Sequence, residues 1–254
     1  LRVAIAGKGG AGKTTLSATL ARLSARSGRA VVALDADANP NLSSALGFSP
    51  ELAAGLRPVP SSLVSRRRDG GGLTEPVDDV LGRYALLGPD GVRLIGMGSP
   101  AHADEGCLCS AHAVVSSLLE DLGRPDRVVV VDMEASPEHL SRGTVRHVDA
   151  VLLVAEPYYH SLETVRRMAA LVAELPVPLV AVVGNKLRTQ EDREAVEGFS
   201  TRHGLAFVAA VPWSDEVLAA DRDRASVIDR EGALPVVRAV EALGRYLGVL
   251  PTTQ

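Results

Sequence analysis

Residues 7–14 read Gly-Lys-Gly-Gly-Ala-Gly-Lys-Thr, a GxxxxGKT loop set between an apolar run, Arg2-Val-Ala-Ile-Ala6, and an uninterrupted helical pattern over residues 14–26. Strand, glycine loop and helix in that order make a phosphate-binding loop, because the helix N-terminus and a row of bare backbone N–H groups then converge on one point. Gly7, Gly9, Gly10 and Gly12 clear the approach to that point. The backbone N–H groups of Gly9, Gly10, Ala11 and Gly12 are expected to face a triphosphate. Lys13 should reach the β- and γ-phosphates, the Thr14 hydroxyl should ligate Mg²⁺, and Thr15 should cap the α-phosphate.

A loop of this kind needs a sheet to carry it. Apolar runs at residues 3–6, 30–34, 92–97, 127–131, 150–155, 179–183 and 205–209 are mostly continuous rather than alternating, which is the pattern of strands buried on both faces. The segments 110–122, 162–175 and 190–203 between them carry helical spacing. The expected fold is α/β, a doubly wound, mostly parallel sheet flanked by helices.

With 254 residues and 46% hydrophobic content the chain is long enough for one large core, and no break in composition divides it, so residues 1–254 are read as one domain. Residues 49–90, rich in Pro, Gly and Arg, are read as an irregular surface insertion, with Arg66-Arg67-Arg68 as a solvated charge run. No apolar run approaches the roughly 20 residues of a membrane span, and the first residues form a strand. The expectation is a cytoplasmic protein without signal peptide or membrane partner. A net charge of −4 and a sequence pI near 5.9 argue against broad nucleic-acid binding. Two cysteines cannot make a disulfide framework.

The acids fall where a nucleotide site wants them. Asp35-Ala36-Asp37-Ala38-Asn39-Pro40-Asn41 ends the second strand with two carboxylates at the edge where ligands gather in such sheets, and the turn residues that follow suit a mobile switch. Val128-Val129-Val130-Val131-Asp132 is a strand ending in an acid, placed to hold Mg²⁺ through a water, with residues 133–139 as a second switch. Asn185-Lys186 closes another apolar strand, and Val211-Pro212-Trp213 is expected to line the nucleotide base.

Gly106-Cys107-Leu108-Cys109-Ser110 precedes a helix. A helix N-terminus lowers thiolate pKa and favours metal ligation; a strained disulfide or reactive or inert thiols are the other readings of such a pair. Two thiolates do not fill a tetrahedral site, but a two-fold dimer supplies four, enough for Zn²⁺ or a similar metal.

Lys8 is wasted in a single chain, since the second loop position points away from its own nucleotide. On the string KGGAGKTT and the two aspartates after the second strand, the chain resembles the deviant Walker A ATPases, the group of MinD, ParA, the nitrogenase iron protein and the arsenite pump. The resemblance implies ATP or ADP as ligand and a homodimer in which Lys8 contacts the phosphates bound by the partner subunit. It makes Lys8, Lys13 and Asp37 the catalytic set, with Asp37 positioning the attacking water. It places Thr14, Asp35, Asp37 and Asp132 around Mg²⁺, and Asn185, flanked by Lys186 and faced by Pro212, at the adenine edge. A nitrogenase-type cluster would need a further cysteine after Asp132, and residues 134–141 hold none.

Over nearly its full length the chain is similar to the CooC family of nickel-insertion ATPases, which mature carbon monoxide dehydrogenase. The strings that carry the likeness are AIAGKGGAGKTT, DAD, IGMG, GCLCS, VVVVDMEASPEHLSRGT, VLLVAEP and VGNK. The resemblance implies Ni²⁺ or Zn²⁺ held between subunits by Cys107 and Cys109, and carbon monoxide dehydrogenase or a related nickel enzyme as client. Ser136-Pro137 departs from the glycine usual in relatives. A positioning or partition ATPase is the alternative, which would need a basic DNA face or a membrane-seeking terminal helix; residues 235–250 are apolar at core-helix spacing and poor in lysine.

Overall fold

The computed structural model describes residues 1–65, 72–97, 109–136, 140 and 144–252, and of Cys109 the backbone only. Among these, eight strands form one sheet. They are β1 (Arg2–Gly7), β2 (Ala30–Ala36), β3 (Leu86–Leu87), β4 (Arg93–Gly96), β5 (Arg127–Met133), β6 (Ala150–Ala155), β7 (Leu179–Leu187) and β8 (Ala206–Pro212), in the spatial order β3-β4-β2-β5-β1-β6-β7-β8. Every pairing is parallel except β3 with β4.

The helices are α1 (Lys13–Arg26), α2 (Leu42–Leu46), α3 (Pro50–Ala53), α4 (Val77–Tyr84), α5 (Cys109–Asp121), α6 (Tyr159–Val172), α7 (Gln190–Arg202), α8 (Asp215–Arg222) and α9 (Leu234–Tyr246). They cover both faces, which is why the strands read as unbroken apolar runs. Within β5, Val129 and Val131 join one core layer, with Leu118 of α5 and Val165 of α6. Val128 and Val130 join the other, with Leu20 of α1 and Val240 of α9. The pleat thus divides one valine run between two layers.

The doubly wound sheet expected from the sequence is the observed one; β1, β2, β5, β7 and β8 run one to four residues further at their carboxyl ends, β6 ends as expected and β4 one residue earlier. Residues 49–90, expected to be irregular, hold more order than that. They contain α3, α4 and the edge strand β3, and Val59 and Leu63 are buried. Val77, Val80 and Leu81 recur at helical spacing and enter the core, with Asp78 and Asp79 in the first turn of α4 and Arg83 in the last, as the helix dipole favours. The surrounding Pro, Gly and Arg residues hid that short period. Arg66, Arg67 and Arg68 lie outside the described residues. No helix among the described residues is long and apolar enough to cross a membrane.

Candidate functional site

The order of the central strands places β1 between β5 and β6, so the loop after β1 opens at the topological switch point, at the carboxyl edge of the sheet. Two glycines there are obligatory. Gly7 (φ 153°) lies so close to β6 that a Cβ would stand 2.6 Å from the Val154 carbonyl oxygen, and at Gly12 (φ 93°) a Cβ would stand 2.2 Å from Asn185 Nδ2. The loop closes on itself through Ala11 N–H donating to the Lys8 carbonyl at 3.1 Å. Lys13, the first residue of α1, is buried, with its Nζ 3.3 Å from that same carbonyl.

Parallel pairing of β2 with β5 sets Asp35 and Asp132 in register, side by side and both buried. Asp132 Oδ1 accepts from Ser17 at 3.1 Å, a residue one turn beyond Lys13 that the sequence did not single out. Asp35 accepts from the backbone N–H of Asp37 at 3.3 Å and of Leu42 at 3.0 Å, spanning the first switch. Asp37 accepts from Asn39 N–H at 2.8 Å.

Charge in this cluster is unbalanced in both signs. Burial pushes the Asp35 carboxyl up to about 7, with repulsion from Asp132 added and the N–H donors of Leu42 and Asp37 opposing. Burial pushes Asp132 up to about 6, against hydrogen bonds from Thr14 and Ser17 and the charge of Lys13. Lys13 is held below the ordinary lysine value by burial, although Asp132, Asp37 and Glu134 attract a proton to it. Acids and amine face one another, yet their mutual attraction does not offset the loss of water around their charged forms. A divalent cation carried on a phosphate chain adds positive charge beside the acids and negative charge beside the amine, and in that respect these residues fit Mg²⁺ with a nucleotide.

A pH dependence follows. Asp35 and Asp132 bind protons more tightly folded than at their ordinary value of 3.8. Unfolding therefore releases protons between about pH 4 and about pH 7, and stability of the ligand-free protein falls as pH rises through that window. In thermal unfolding, Asp35→Asn is expected to lose part of this slope, by about 1 kcal/mol per pH unit. Mg²⁺ with ADP is expected to flatten it in the unmutated chain; parallel pH curves for the two proteins would exclude the assignment.

Beside the loop lies a cleft of 370 Å³, lined by Gly10, Gly12, Lys13, Thr14, Thr15, Asn185, Lys186, Val211, Pro212 and Trp213, with Val217, Leu218 and Asp221 of α8 across from them. Polar groups of the loop and apolar groups of β8, α8 and α9 both line it, as a nucleotide seat requires. Asn185 Nδ2 donates to the Ala11 carbonyl at 2.7 Å, so this amide braces the loop as well as lining the cleft. Trp213 carries the Arg188 guanidinium 3.9 Å from its ring centroid, and its indole N–H donates to Asp215 at 3.2 Å.

Lys186 sits in the left-handed region (φ 59°), donates to the Gly10 carbonyl, and pairs with Glu156 at 3.0 Å. Glu156 is buried at the end of β6 and accepts from the Tyr158 hydroxyl at 2.6 Å. Lys8 Nζ lies 5.1 Å from the centroid of the Tyr158 ring. Glu156 stands in the VLLVAEP string, but the sequence marks no role for it or for Tyr158; the signal for Glu156 is an acid closing the VLLVA strand, the same that marks Asp132.

The structure thus gathers Lys8, Gly9, Gly10, Ala11, Gly12, Lys13, Thr14, Thr15, Asp35, Asp37, Asp132, Asn185, Lys186 and Pro212 along one edge of the sheet. Cys107 and the Cys109 thiol lie outside the described residues, as do Pro137 and His139 of the second switch; the backbone of Cys109 opens α5.

The family described as the CobQ/CobB/MinD/ParA nucleotide binding domain matches residues 3–227. The carbon monoxide dehydrogenase accessory protein CooC of Rhodospirillum rubrum is 33% identical over 240 residues, covering 90% of each chain. Among solved structures, the MinD cell division protein of Aquifex aeolicus is similar with a TM-score of 0.72 and 19% identity, over 99% of this chain and 98% of that one. The septum site-determining protein MinD of Pyrococcus horikoshii OT3, complexed with Mg-ADP, gives a TM-score of 0.68 and 16% identity over 99% of both chains. At these identities the structures bear on the fold alone.

Proposed function

The chain belongs to the CobQ/CobB/MinD/ParA nucleotide-binding family and is a CooC-type ATPase within it, and from that premise we propose that it is a metallochaperone whose nucleotide-dependent homodimer holds nickel or zinc as cargo. The cargo would be held by Cys107 and Cys109 of both copies and delivered, as nickel, to carbon monoxide dehydrogenase or a similar enzyme. The observation that carries this reading is the likeness to CooC across nine-tenths of both chains. The GCLCS string and Lys8 support it independently, because each is a half-site that a second copy completes.

The reaction is ATP + H₂O → ADP + phosphate. Magnesium, when bound with ATP, neutralises charge on the β- and γ-phosphates. Thr14 and Asp132 would hold it, with Asp35 and Asp37 nearby. Lys13 supplies positive charge from within the loop, and Lys8 of the partner subunit supplies more from across the interface. Asp37 orients the attacking water and accepts its proton. Asn185, Pro212 and Trp213 seat the base. Asp37 and Asp35 share the switch loop, so γ-phosphate loss is read out as movement of residues 36–42, which the open and closed dimers must tolerate unequally.

The fold alone would equally serve a positioning ATPase working on a membrane. Against that, Val236, Val237, Val240 and Leu243 of α9 are committed to the core rather than to a membrane surface. Replacing Cys107 and Cys109 together by alanine is expected to remove stoichiometric metal, about one ion per two chains, with ATP turnover retained within a few-fold. Metal content is read by mass with ATP, with ADP and without nucleotide. Unchanged metal in the double variant sinks the chaperone reading, and ATP-dependent sedimentation with liposomes would install its rival.

A further inference from the structure

Lys8 does not hang free beside the loop. Its ammonium rests against the face of Tyr158, and that ring is fixed at both ends. The phenol donates to Glu156 at 2.6 Å, and the backbone carbonyl of Tyr158 accepts from Ser161 at 3.0 Å as α6 begins. Glu156 is itself held, by Lys186 at 3.0 Å and by its own N–H donating to Ser161 Oγ at 2.9 Å. Lys186 closes the circuit by donating to Gly10 of the phosphate loop. A chain of contacts therefore runs from one side of the loop to the other, and Lys8 is its loose end. Tyr158 is 41% exposed and takes no part in either core layer, so its ring serves no packing need that would explain this bracing.

We propose that Tyr158 is a positioning residue that holds Lys8 folded back on its own subunit and thereby sets how readily two copies close over bound nucleotide. The inference rests on the reading of Lys8 as a contact to the partner's phosphates. A lysine lying across its own subunit's ring must leave it to reach another subunit, so each closure breaks two such contacts, one per copy. An exposed ammonium–ring contact shifts an equilibrium about threefold, and two acting together about tenfold. The ring is a restraint of the right size, strong enough to hold Lys8 back without phosphate across from it and weak enough to yield when a triphosphate is there.

Sedimentation equilibrium with Mg²⁺ and a non-hydrolysable ATP analogue tests this on the unmutated chain, Tyr158→Leu and Tyr158→Phe. Leucine is expected to tighten the dimer about tenfold; because it also takes the phenol from the buried Glu156 carboxylate, Tyr158→Phe, which loses the same hydrogen bond, is its reference for the thermal midpoint and for affinity of the single subunit for the analogue. Phenylalanine, which keeps the ring and loses only the tie to Glu156, is expected to fall between. A dimer weakened by leucine would mean that the ring presents Lys8 to the partner, and one left unchanged would mean that it does not restrain Lys8; either overturns the proposal. If the unmutated chain stays a single subunit in every nucleotide state, the dimer reading itself fails, and this inference goes with it.

Discussion

Lys13→Ala is expected to slow ATP turnover by about 10²–10³-fold, the larger part in kcat. The ammonium is buried and lies 3.3 Å from the Lys8 carbonyl, at the floor of the cradle that would hold the terminal phosphates. Burial already holds its proton affinity below the ordinary lysine value, so the charge is poorly satisfied until phosphate arrives. That deficit favours whichever state puts most negative charge opposite the amine. In phosphoryl transfer this is the state in which charge spreads over the γ-phosphoryl oxygens and the leaving oxygen. The substitution spares the local frame, since the Asn185–Ala11 and Ser17–Asp132 hydrogen bonds do not involve the Lys13 side chain. Phosphate release and nucleotide affinity measured on the same preparation separate chemistry from binding. Turnover within tenfold of the unmutated chain would remove Lys13 from the reaction.

How far the sequence foretold this site depends on how far apart its parts lie along the chain. The loop, Asp35, Asp37 and Asp132 were legible because each sits at the end of an apolar run, and in a parallel sheet such ends share one edge. The braces were not. Glu156 and Lys186 are 30 positions apart and meet because β6 and β7 are neighbours in the sheet, a pairing no local pattern encodes. The VGNK turn offers Asn185 as a contact to adenine, while its grip on the Ala11 carbonyl depends on Gly12 having no Cβ to stand in the way. The DAD string offers Asp35 as an acid near the metal, and its second task, accepting from both ends of the switch through Asp37 and Leu42, needs the turn of residues 36–42 to be seen. The helix α4 was obscured because three buried apolar residues in eight are a thin signal against a background of Pro, Gly and Arg.

Asp37→Asn is expected to hydrolyse ATP about 10²-fold more slowly while binding it with affinity close to that of the unmutated chain. Asparagine keeps an oxygen where Asp37 accepts from Asn39 N–H at 2.8 Å, so the switch loop retains its hydrogen bond and only the charge is lost. A neutral amide orients water poorly and cannot take its proton. The lost charge also reaches its neighbours, in opposing directions. Asp37 is one of the groups that raise the proton affinity of Asp35 and of Asp132, so without it both carboxyls move down toward their ordinary value, which favours the ligand-free fold at pH 7. It is also one of the carboxylates that hold the proton on buried Lys13, and that support is lost. The two offset, and stability at pH 7 is expected to stay within about 1 kcal/mol of that of the unmutated chain. Slower chemistry in a protein of unchanged stability cannot come from damage to the fold, which would lower both. Single-turnover hydrolysis and thermal unfolding at pH 7 read the two separately; a variant that turns over at the unmutated rate removes Asp37 from that role.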